Sequence, residues 1–355
     1  MLPISINGSE PLRTLLDTGM PSPGVALFHG PHVDQLDLDY LSTRVRVGGA
    51  GGSGSYQARV SAGATLQPGE VLIERSNLIV LPPIPHFDLG YEGIIGFELL
   101  KAFAVGVDYD TQQVVLTPQE SFQAPDDTTA VPLEITGNLP YVEARLPGSG
   151  ASDDTLRLVL DLGAHHAVSL RAEYPAVTIP AAAIERQVGR GLSGAIRGHV
   201  GRVPVFELGG YRLQSVVASF VEGKEGDPRN DKRDGNLGID LMRRFNFTLD
   251  YARAALYLKP NKRFNGAFEG DMAGLVLESE DGREMRVAEV TPGSPAAEAG
   301  VAVGDIVLAV NGTTVTGRDR MRLGERLRKV GTLTLKLMGP GGDPRIVNLA
   351  LSRMI

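Results

Sequence analysis

The sequence predicts a mostly β protein in which two homologous lobes are followed by a smaller third domain. The 355 residues include 44 glycines and 23 prolines, and this content favours short strands joined by many turns over a helical bundle. An internal duplication, with a period too long for a solenoid, divides the larger part of the chain into two lobes. A dense series of turn and helix-cap motifs begins near residue 287, which predicts a separate unit.

Composition and charge exclude several classes of function. The chain has 42% hydrophobic and 22% charged residues, as is ordinary for a globular protein. Its net charge of −7 offers no positive surface for nucleic acid or an anionic membrane. No apolar run is long enough to span a bilayer. The absence of cysteine excludes disulfides, thiol catalysis and cysteine-bound zinc.

The duplication appears in three pairs of segments, each of which recurs 140 to 144 residues later. The most informative pair places an acidic residue between an apolar strand and a turn glycine, at Asp17 and at Asp161. A carboxylate buried behind such a strand is costly unless it is paired or hydrogen-bonded, so these two residues are candidates for a common site. The paired segments are residues 15–19 with 159–163, 49–54 with 189–194, and 93–96 with 235–238.

Lobe one is predicted to span residues 1–120. Residues 96–104 carry apolar side chains spaced for one face of a short helix, and residues 105–109 then alternate with the period of a strand. Residues 110–113 are predicted to form a hairpin turn before a further strand. The other predicted strands are residues 4–6, 12–16, 25–28, 41–47, 71–73 and 78–81.

Lobe two is predicted over residues 131–262, after a linker at 121–130 that shows no periodicity. Residues 223–234 are too polar for a core and are predicted to form a solvated loop. A strand-like stretch at 131–135 precedes the lobe-two aspartate and has no counterpart in lobe one, so we expect upstream sequence to have been removed. Met1 is followed within a few residues by a strand rather than by a signal peptide. The protein would be periplasmic or secreted if the removed segment was an export signal.

The third domain is predicted over residues 268–355 and begins with a strand near 287–290. Ser294 can cap a helix that has Pro295 at its first position, and Gly300 can end that helix. Asn311 and Gly312 form a strong hairpin-turn motif. These motifs follow one another closely and predict a strand, a helix, and a further strand that ends in a hairpin turn.

Each lobe resembles the pattern of the aspartic proteases. In that pattern two apolar residues precede Asp-Thr/Ser-Gly, and an apolar–apolar–Gly motif and a short helix follow much later. Lobe one carries it at residues 17–19 and 94–96; lobe two carries it at 161–163 and 237–238, with Asn236 in place of the first apolar residue. The third domain resembles a bacterial PDZ domain. The chain is therefore similar to bacterial retropepsin-like aspartyl proteases, which implies two closed-β lobes followed by a PDZ domain, a β-sandwich or partial barrel with two helices.

The resemblance implies that Asp17 and Asp161 form the catalytic pair of an aspartic endopeptidase that acts on polypeptides. Two facing carboxylates cannot both ionise cheaply, so the pair would hold one proton and supply both an acid and a base. The pair would activate a water that attacks the peptide bond, and no metal or other cofactor is needed. Thr18, Gly19 and Gly163 would support the pair.

Leu162 departs from the family pattern, because it lacks the hydroxyl with which Thr or Ser braces the two lobes. The brace would be one-sided, through Thr18, or absent. Two alternatives therefore remain open: Asp17 only caps a turn before a glycine, or lobe two is catalytically silent. In the second case the chain would be an inactive, protease-like peptide-binding or scaffold protein.

The glycine-rich segments at 49–54 and 189–194 formally match a dinucleotide-binding fingerprint. That motif requires a helix to open at its last glycine, whereas strand-like sequence follows both segments here. They are therefore predicted to be turns of β-hairpins. In the family a hairpin of this kind closes over substrate as a flap, and an ordinary glycine-rich hairpin is the alternative. The candidate flap in lobe one consists of Gly51, Gly52, Ser53, Gly54, Ser55 and Tyr56.

Histidine and serine motifs argue against other hydrolase chemistries. His165 and His166 follow Asp161 closely, but adjacent strand residues point to opposite faces and no His-Glu-x-x-His motif occurs, so no metal site is predicted. Ser53 and Ser193 lie in no Gly-x-Ser-x-Gly elbow, which argues against a serine hydrolase.

The PDZ resemblance implies a peptide partner. PDZ domains bind a peptide C-terminal carboxylate through a loop of backbone N–H groups, and the peptide is added as a β-strand. That loop would consist of Met272, Ala273, Gly274 and Leu275. The alternative is a PDZ domain that only packs against lobe two.

Overall fold

A computed structural model describes residues 1–52, 54–84, 90–147, 154–175, 177–222, 233–280 and 282–355 of the chain. Ser53 of the candidate flap, His86 and most of the predicted loop at 223–234 lie outside the described residues. Across the described ranges the strands form three sheets of seven, twelve and six strands, which confirms the predicted mostly β fold. None of the helices in these ranges is long and apolar enough to cross a membrane.

The first sheet is built from residues of lobe one. Its strands are β1 (Leu2–Ile6), β2 (Leu12–Leu16), β3 (Val25–Leu27), β4 (Tyr40–Gly48), β5 (Ser55–Pro68), β6 (Ile73–Val80) and β7 (Gly93–Ile95). They are hydrogen-bonded in the order β1-β2-β7-β3-β6-β5-β4, and β1 also pairs with β5, so the sheet closes on itself. One helical turn, α1 (Pro31–Asp34), lies between β3 and β4.

The second sheet contains lobe two and repeats the pairings of the first. After α2 (Phe97–Leu100), its elements are β8 (Phe103–Asp108), β9 (Gln113–Pro118), β10 (Thr129–Thr136), β11 (Leu139–Arg145), β12 (Thr155–Asp161), β13 (Val168–Arg171), β14 (Ile184–Gly191), β15 (Gly194–Leu208), β16 (Tyr211–Val221), β17 (Gly235–Gly238), α3 (Ile239–Met242), β18 (Phe245–Asp250) and β19 (Ala255–Pro260). Strands β12 and β17 are parallel, as β2 and β7 are, and β13 pairs with β16 as β3 does with β6. The repeated sequence motifs therefore occupy matching places in both lobes.

The helix expected over residues 96–104 is shorter than its sequence pattern suggests. It ends at Leu100, and β8 begins at Phe103. Strand β8 pairs with β18. Residues that local periodicity would place in a helix therefore form backbone hydrogen bonds with a distant strand instead. Through this pairing β8 and β9 join the sheet that contains lobe two, and the two lobes share one hydrophobic core. The two strands predicted at residues 71–73 and 78–81 are instead parts of one strand, β6, which begins at Ile73.

The third domain has its own core and its own sheet. Its elements are β20 (Leu275–Glu278), β21 (Arg286–Val290), α4 (Pro295–Glu298), β22 (Ile306–Val310), β23 (Thr313–Thr314), α5 (Arg320–Leu327), β24 (Gly331–Met338) and β25 (Pro344–Leu351). The Ser294 hydroxyl caps α4 by accepting from the Ala297 N–H at 3.3 Å. Asn311 and Gly312, with φ of 49° and 79°, form the turn between β22 and β23. These predicted caps and turns are confirmed.

Arg244 fastens the segment that joins lobe two to the third domain. Its guanidinium donates to the carbonyl oxygens of Arg263 at 3.1 Å, Gly266 and Ala267, and it lies 3.5 Å from the ring centroid of Phe268. Burial lowers the pKa of Arg244 to about 10, so the side chain stays charged at neutral pH. The segment between lobe two and the third domain is therefore held in place by hydrogen bonds to Arg244.

Candidate active site

Both aspartates stand at the ends of parallel strand pairs. Asp17 follows β2, and its N–H donates to the Ile95 carbonyl of β7 at 2.9 Å; Asp161 ends β12 opposite Gly238 of β17. Gly96 must be a glycine, because a Cβ there would lie 2.2 Å from the Asp17 carbonyl oxygen. A Cβ on Gly238 would likewise lie 2.2 Å from a carbonyl oxygen of the lobe-two loop. The repeated apolar–Gly motif thus lets each aspartate loop approach its neighbouring strand.

The structure brings the carboxyl groups of Asp17 and Asp161 together across the lobe interface, each against the aspartate loop of the other lobe. Each also accepts from a backbone N–H in its own loop, from Gly19 at 2.7 Å and from Gly163 at 3.0 Å. A Cβ on Gly19 would lie 2.7 Å from the Asp161 Cγ, and one on Gly163 would lie 2.5 Å from the Asp17 Cγ. The glycine of each lobe therefore leaves the space that the opposite carboxyl occupies.

Thr18 braces the two loops from one side. Its hydroxyl donates to the Leu160 carbonyl at 2.5 Å and accepts from the Leu162 N–H at 2.9 Å. Thr18 is 1% exposed and Leu162 is 3% exposed, within the shared apolar core. Of the two arrangements considered from the sequence, one-sided or absent, the structure has the one-sided brace. Leu162 replaces the second hydroxyl with apolar packing.

Hydrogen bonding makes the two carboxyls unequal. Asn236 Nδ2 donates to Asp161 Oδ2 at 3.3 Å, whereas the matching lobe-one position is Ile94, which has no side-chain donor. Burial first, and then the charge of Asp161, raise the pKa of Asp17 from 3.8 to about 8. The pair consequently holds a proton at neutral pH, and because its two carboxyls interact they titrate as one unit.

The glycine-rich hairpins of the two lobes meet at their tips. Ser193, in the turn between β14 and β15, donates its N–H to the Ala50 carbonyl at 3.0 Å. Its hydroxyl donates to the Gly54 carbonyl at 2.5 Å and accepts from the Gly49 N–H at 3.1 Å. A Cβ on Gly51 would lie 1.9 Å from the Gly194 carbonyl oxygen. The sequence assigned a flap only to lobe one, and the recurrence of Gly-x-Ser-Gly in both lobes was the signal that could have pointed to a second hairpin at the same place.

His165 and His166 lie close to Asp161 in sequence and were considered above as metal ligands. Burial lowers the pKa of His166 despite the nearby charges of Asp161 and Asp240, so its imidazole is neutral at neutral pH. Within the described ranges no three histidine, aspartate or glutamate side chains gather into a group that could hold a metal ion.

The loop expected to bind a peptide carboxylate leads into β20, and three of its N–H groups point to one acceptor. Those of Ala273, Gly274 and Leu275 donate at 3.0, 2.9 and 3.1 Å, and the acceptor of all three is the Asp271 carboxylate. Gly274 has φ of +77°, a conformation that favours glycine. Sequence reasoning identified the loop and missed Asp271.

Two family models match the sequence. The model described as Aspartyl protease matches residues 142–241, and the model described as PDZ domain matches residues 286–329. The first match falls on lobe two, the copy with Leu162, and includes Asp161; the second includes β21 to α5. No curated protein matches the chain. The resemblance to a retropepsin-like aspartyl protease with a C-terminal PDZ domain is thereby confirmed, and it supports a protease that carries a peptide-binding domain.

Proposed function

We propose that the chain is an aspartic endopeptidase in which Asp17 and Asp161 activate the hydrolytic water. The observation that carries this proposal is the placement of the two carboxyls at the lobe interface, each against the aspartate loop of the other lobe. Each carboxyl is held by a backbone N–H and lies where the other lobe has a glycine. Such a pair supplies an acid and a base from identical residues, because like charges in contact cannot both ionise cheaply.

In the proposed reaction the ionised carboxylate accepts a proton from a water that attacks the carbonyl carbon of the scissile peptide bond. The protonated carboxyl donates to the carbonyl oxygen, which becomes a hydroxyl of the tetrahedral gem-diol. That intermediate breaks its C–N bond while the pair delivers a proton to the leaving nitrogen and takes one from a gem-diol hydroxyl. The products are a carboxylic acid and an amine, and the pair again holds one proton.

The paired hairpin tips support a polypeptide substrate. Ser193 links the lobe-two hairpin to backbone groups at Gly49, Ala50 and Gly54 of the lobe-one hairpin. In this proposal both hairpins form the roof of the cleft, and these few hydrogen bonds open to admit an extended peptide and reform over it. The PDZ domain supplies a second unit for polypeptide recognition.

A competing proposal, favoured by Leu162, is an inactive peptide-binding scaffold that keeps the protease fold. Digestion of a peptide library, read by mass spectrometry with and without a transition-state inhibitor of aspartic proteases, distinguishes the two. The endopeptidase proposal expects inhibitor-sensitive cleavage that falls by about a hundred- to ten-thousandfold in Asp17→Asn and in Asp161→Asn. The control Asp126→Asn, in the exposed linker, should cleave normally. Equal cleavage by all variants would show that the cleavage does not come from these two aspartates, and no cleavage by the unaltered protein would favour the scaffold.

A further inference from the structure

The peptide-carboxylate loop of the PDZ domain already holds a carboxylate from its own chain. The side chain of Asp271 accepts from the N–H groups of Ala273, Gly274 and Leu275, all within 3.1 Å. A PDZ domain uses backbone N–H groups of this loop to bind the C-terminal carboxylate of a peptide. Asp271 therefore satisfies the donors that an incoming C-terminus would need.

Among the described residues no strand pairs with the outer edge of β20 beside this loop, and the first carbonyl on that edge is also occupied. The Gly274 carbonyl accepts from the Thr291 N–H and so points towards β21. Because successive carbonyls of a strand alternate in direction, the Leu275 carbonyl faces the open edge, where an added peptide would donate an N–H. It accepts instead from Arg186 Nη2 at 3.0 Å.

Arg186 belongs to β14 of lobe two and joins the two occupied positions. Its Nη1 donates to Asp271 Oδ2 at 2.7 Å, so one guanidinium contacts both the captured carboxylate and the edge carbonyl. The Arg186 side chain is 9% exposed and that of Asp271 is 21% exposed. A pair withdrawn from water to this degree is costly to separate, since each partner would leave a buried charge behind.

Further contacts between the same hairpin and the PDZ sheet are charge-complementary. Arg190 of β14 binds Glu278 of β20. Arg197 of β15 binds Glu289 of β21 at 2.7 Å, and the Gln187 N–H donates to the same carboxylate at 3.2 Å. Basic groups on the hairpin thus face acidic groups on the PDZ domain throughout this contact.

A second contact lies at the other side of the PDZ domain. Arg328, just after α5, binds Asp240 of α3, and Arg243 binds Glu325 of α5 at 3.4 Å. Helix α3 directly follows β17, the strand that is paired with the Asp161 strand. The PDZ domain is therefore fixed to lobe two both at the hairpin whose tip reaches lobe one and next to the aspartate loop.

We propose that the carboxylate site of this PDZ domain is occupied in cis by Asp271 and Arg186, and that its ligand is lobe two of the same chain. The Asp271 carboxylate takes the place of a peptide's C-terminal carboxylate. The Arg186 guanidinium takes the place of the backbone N–H of the peptide's last residue. A free C-terminus binds this loop only when the pair opens, and opening also releases Arg186 of the lobe-two hairpin from its contacts with Asp271 and the Leu275 carbonyl. This inference depends on the PDZ domain and on these contacts, and it holds whether or not the chain cleaves peptides.

The test compares retention of two peptide pools on the immobilised full chain. One pool is a set of randomised hexapeptides with free C-terminal carboxylates, and the other is the same set with C-terminal amides. Every protein tested carries Asp17→Asn so that the peptide probes stay intact, and the protein with this change alone is called the parent. We expect similar retention of the two pools by this parent, and about tenfold or greater preference for free carboxylates after Asp271→Ala. Arg186→Gln should give a smaller preference, and Asp343→Ala, at an exposed turn, should give none.

Hydrogen exchange, measured on the proteolytic fragment of the protein that contains Ala273, Gly274 and Leu275, gives a second test. We expect these N–H groups to be protected in the parent and to exchange faster after Asp271→Ala, while β24 keeps its protection and so reports an intact fold. A strong carboxylate preference in the parent that Asp271→Ala leaves unchanged would overturn the proposal. Unchanged protection of the loop after Asp271→Ala, or no gain of carboxylate preference in that variant, would overturn it as well.

Discussion

Replacing Thr18 with valine should separate the brace between the lobes from the rest of the fold. Valine has nearly the shape of threonine and lacks the hydroxyl, which donates to Leu160 and accepts from Leu162 at a position 1% exposed. The Leu162 N–H would lose its partner in an apolar core, and an unsatisfied buried group costs about 1–3 kcal/mol. With the loss at the Leu160 carbonyl, we expect the free energy of unfolding to fall by about 2–4 kcal/mol.

Urea unfolding followed by circular dichroism and by tyrosine fluorescence measures this loss, since the chain has nine tyrosines and no tryptophan. Thr14→Val is the matched control. Thr14 is buried in β2, the strand that leads to Thr18, and its hydroxyl donates to the Leu2 carbonyl at 2.7 Å, so its removal should cost about 0.5–1.5 kcal/mol. If Thr18→Val is no more destabilising than Thr14→Val, the reasoning about the brace is refuted.

Three further predictions concern the same site. Leu162→Thr should lower the unfolding midpoint, because Leu162 is 3% exposed in an apolar core. The smaller threonine would leave a cavity and a buried hydroxyl without a partner. A clear stabilisation would show instead that lobe two lacks only the hydroxyl that lobe one has at Thr18. Gly163→Ala should abolish peptidase activity, since its Cβ would lie 2.5 Å from the Asp17 Cγ, whereas Gly324→Ala in α5, with open space around it, should leave activity intact. The raised pKa of Asp17 means that its carboxyl binds more protons in the folded than in the unfolded state, so stability should decline between pH 3.8 and about pH 8. Asp17→Asn should flatten that decline in pH-dependent unfolding, and peptidase activity of the unaltered protein should fall above about pH 8 as the shared proton is lost.

Much of the fold could be predicted because its determinants are local. The Ser294 cap, the Asn311–Gly312 turn and the short apolar strands depend on residues close together in sequence. Local patterns were less reliable where distant strands compete for the backbone. Phe103 continues a helical spacing, yet it begins β8, because β8 pairs with a strand more than a hundred residues away.

The sequence by itself determined the central pair of carboxyls. Asp17 and Asp161 could be matched because the duplication repeats both the aspartate and the glycine two residues later, and a repeated strand–loop motif places its copies at matching positions in two lobes. The missing hydroxyl at Leu162 was equally visible. The aspartate pair and the missing hydroxyl both depend on residue type and spacing, which can be read directly from the sequence.

Only the tertiary structure decided which groups meet across the chain. Nothing in residue type or spacing connects Ser193 with the backbone of the lobe-one hairpin, or Arg186 with Asp271, which is 85 residues away. Such contacts depend on how whole lobes and domains are oriented, and that orientation results from the packing of many side chains together. The same reason explains the PDZ loop: its glycine and its N–H groups were predictable from local conformation, whereas the carboxylate that fills it and the arginine that holds it became apparent only in the folded chain.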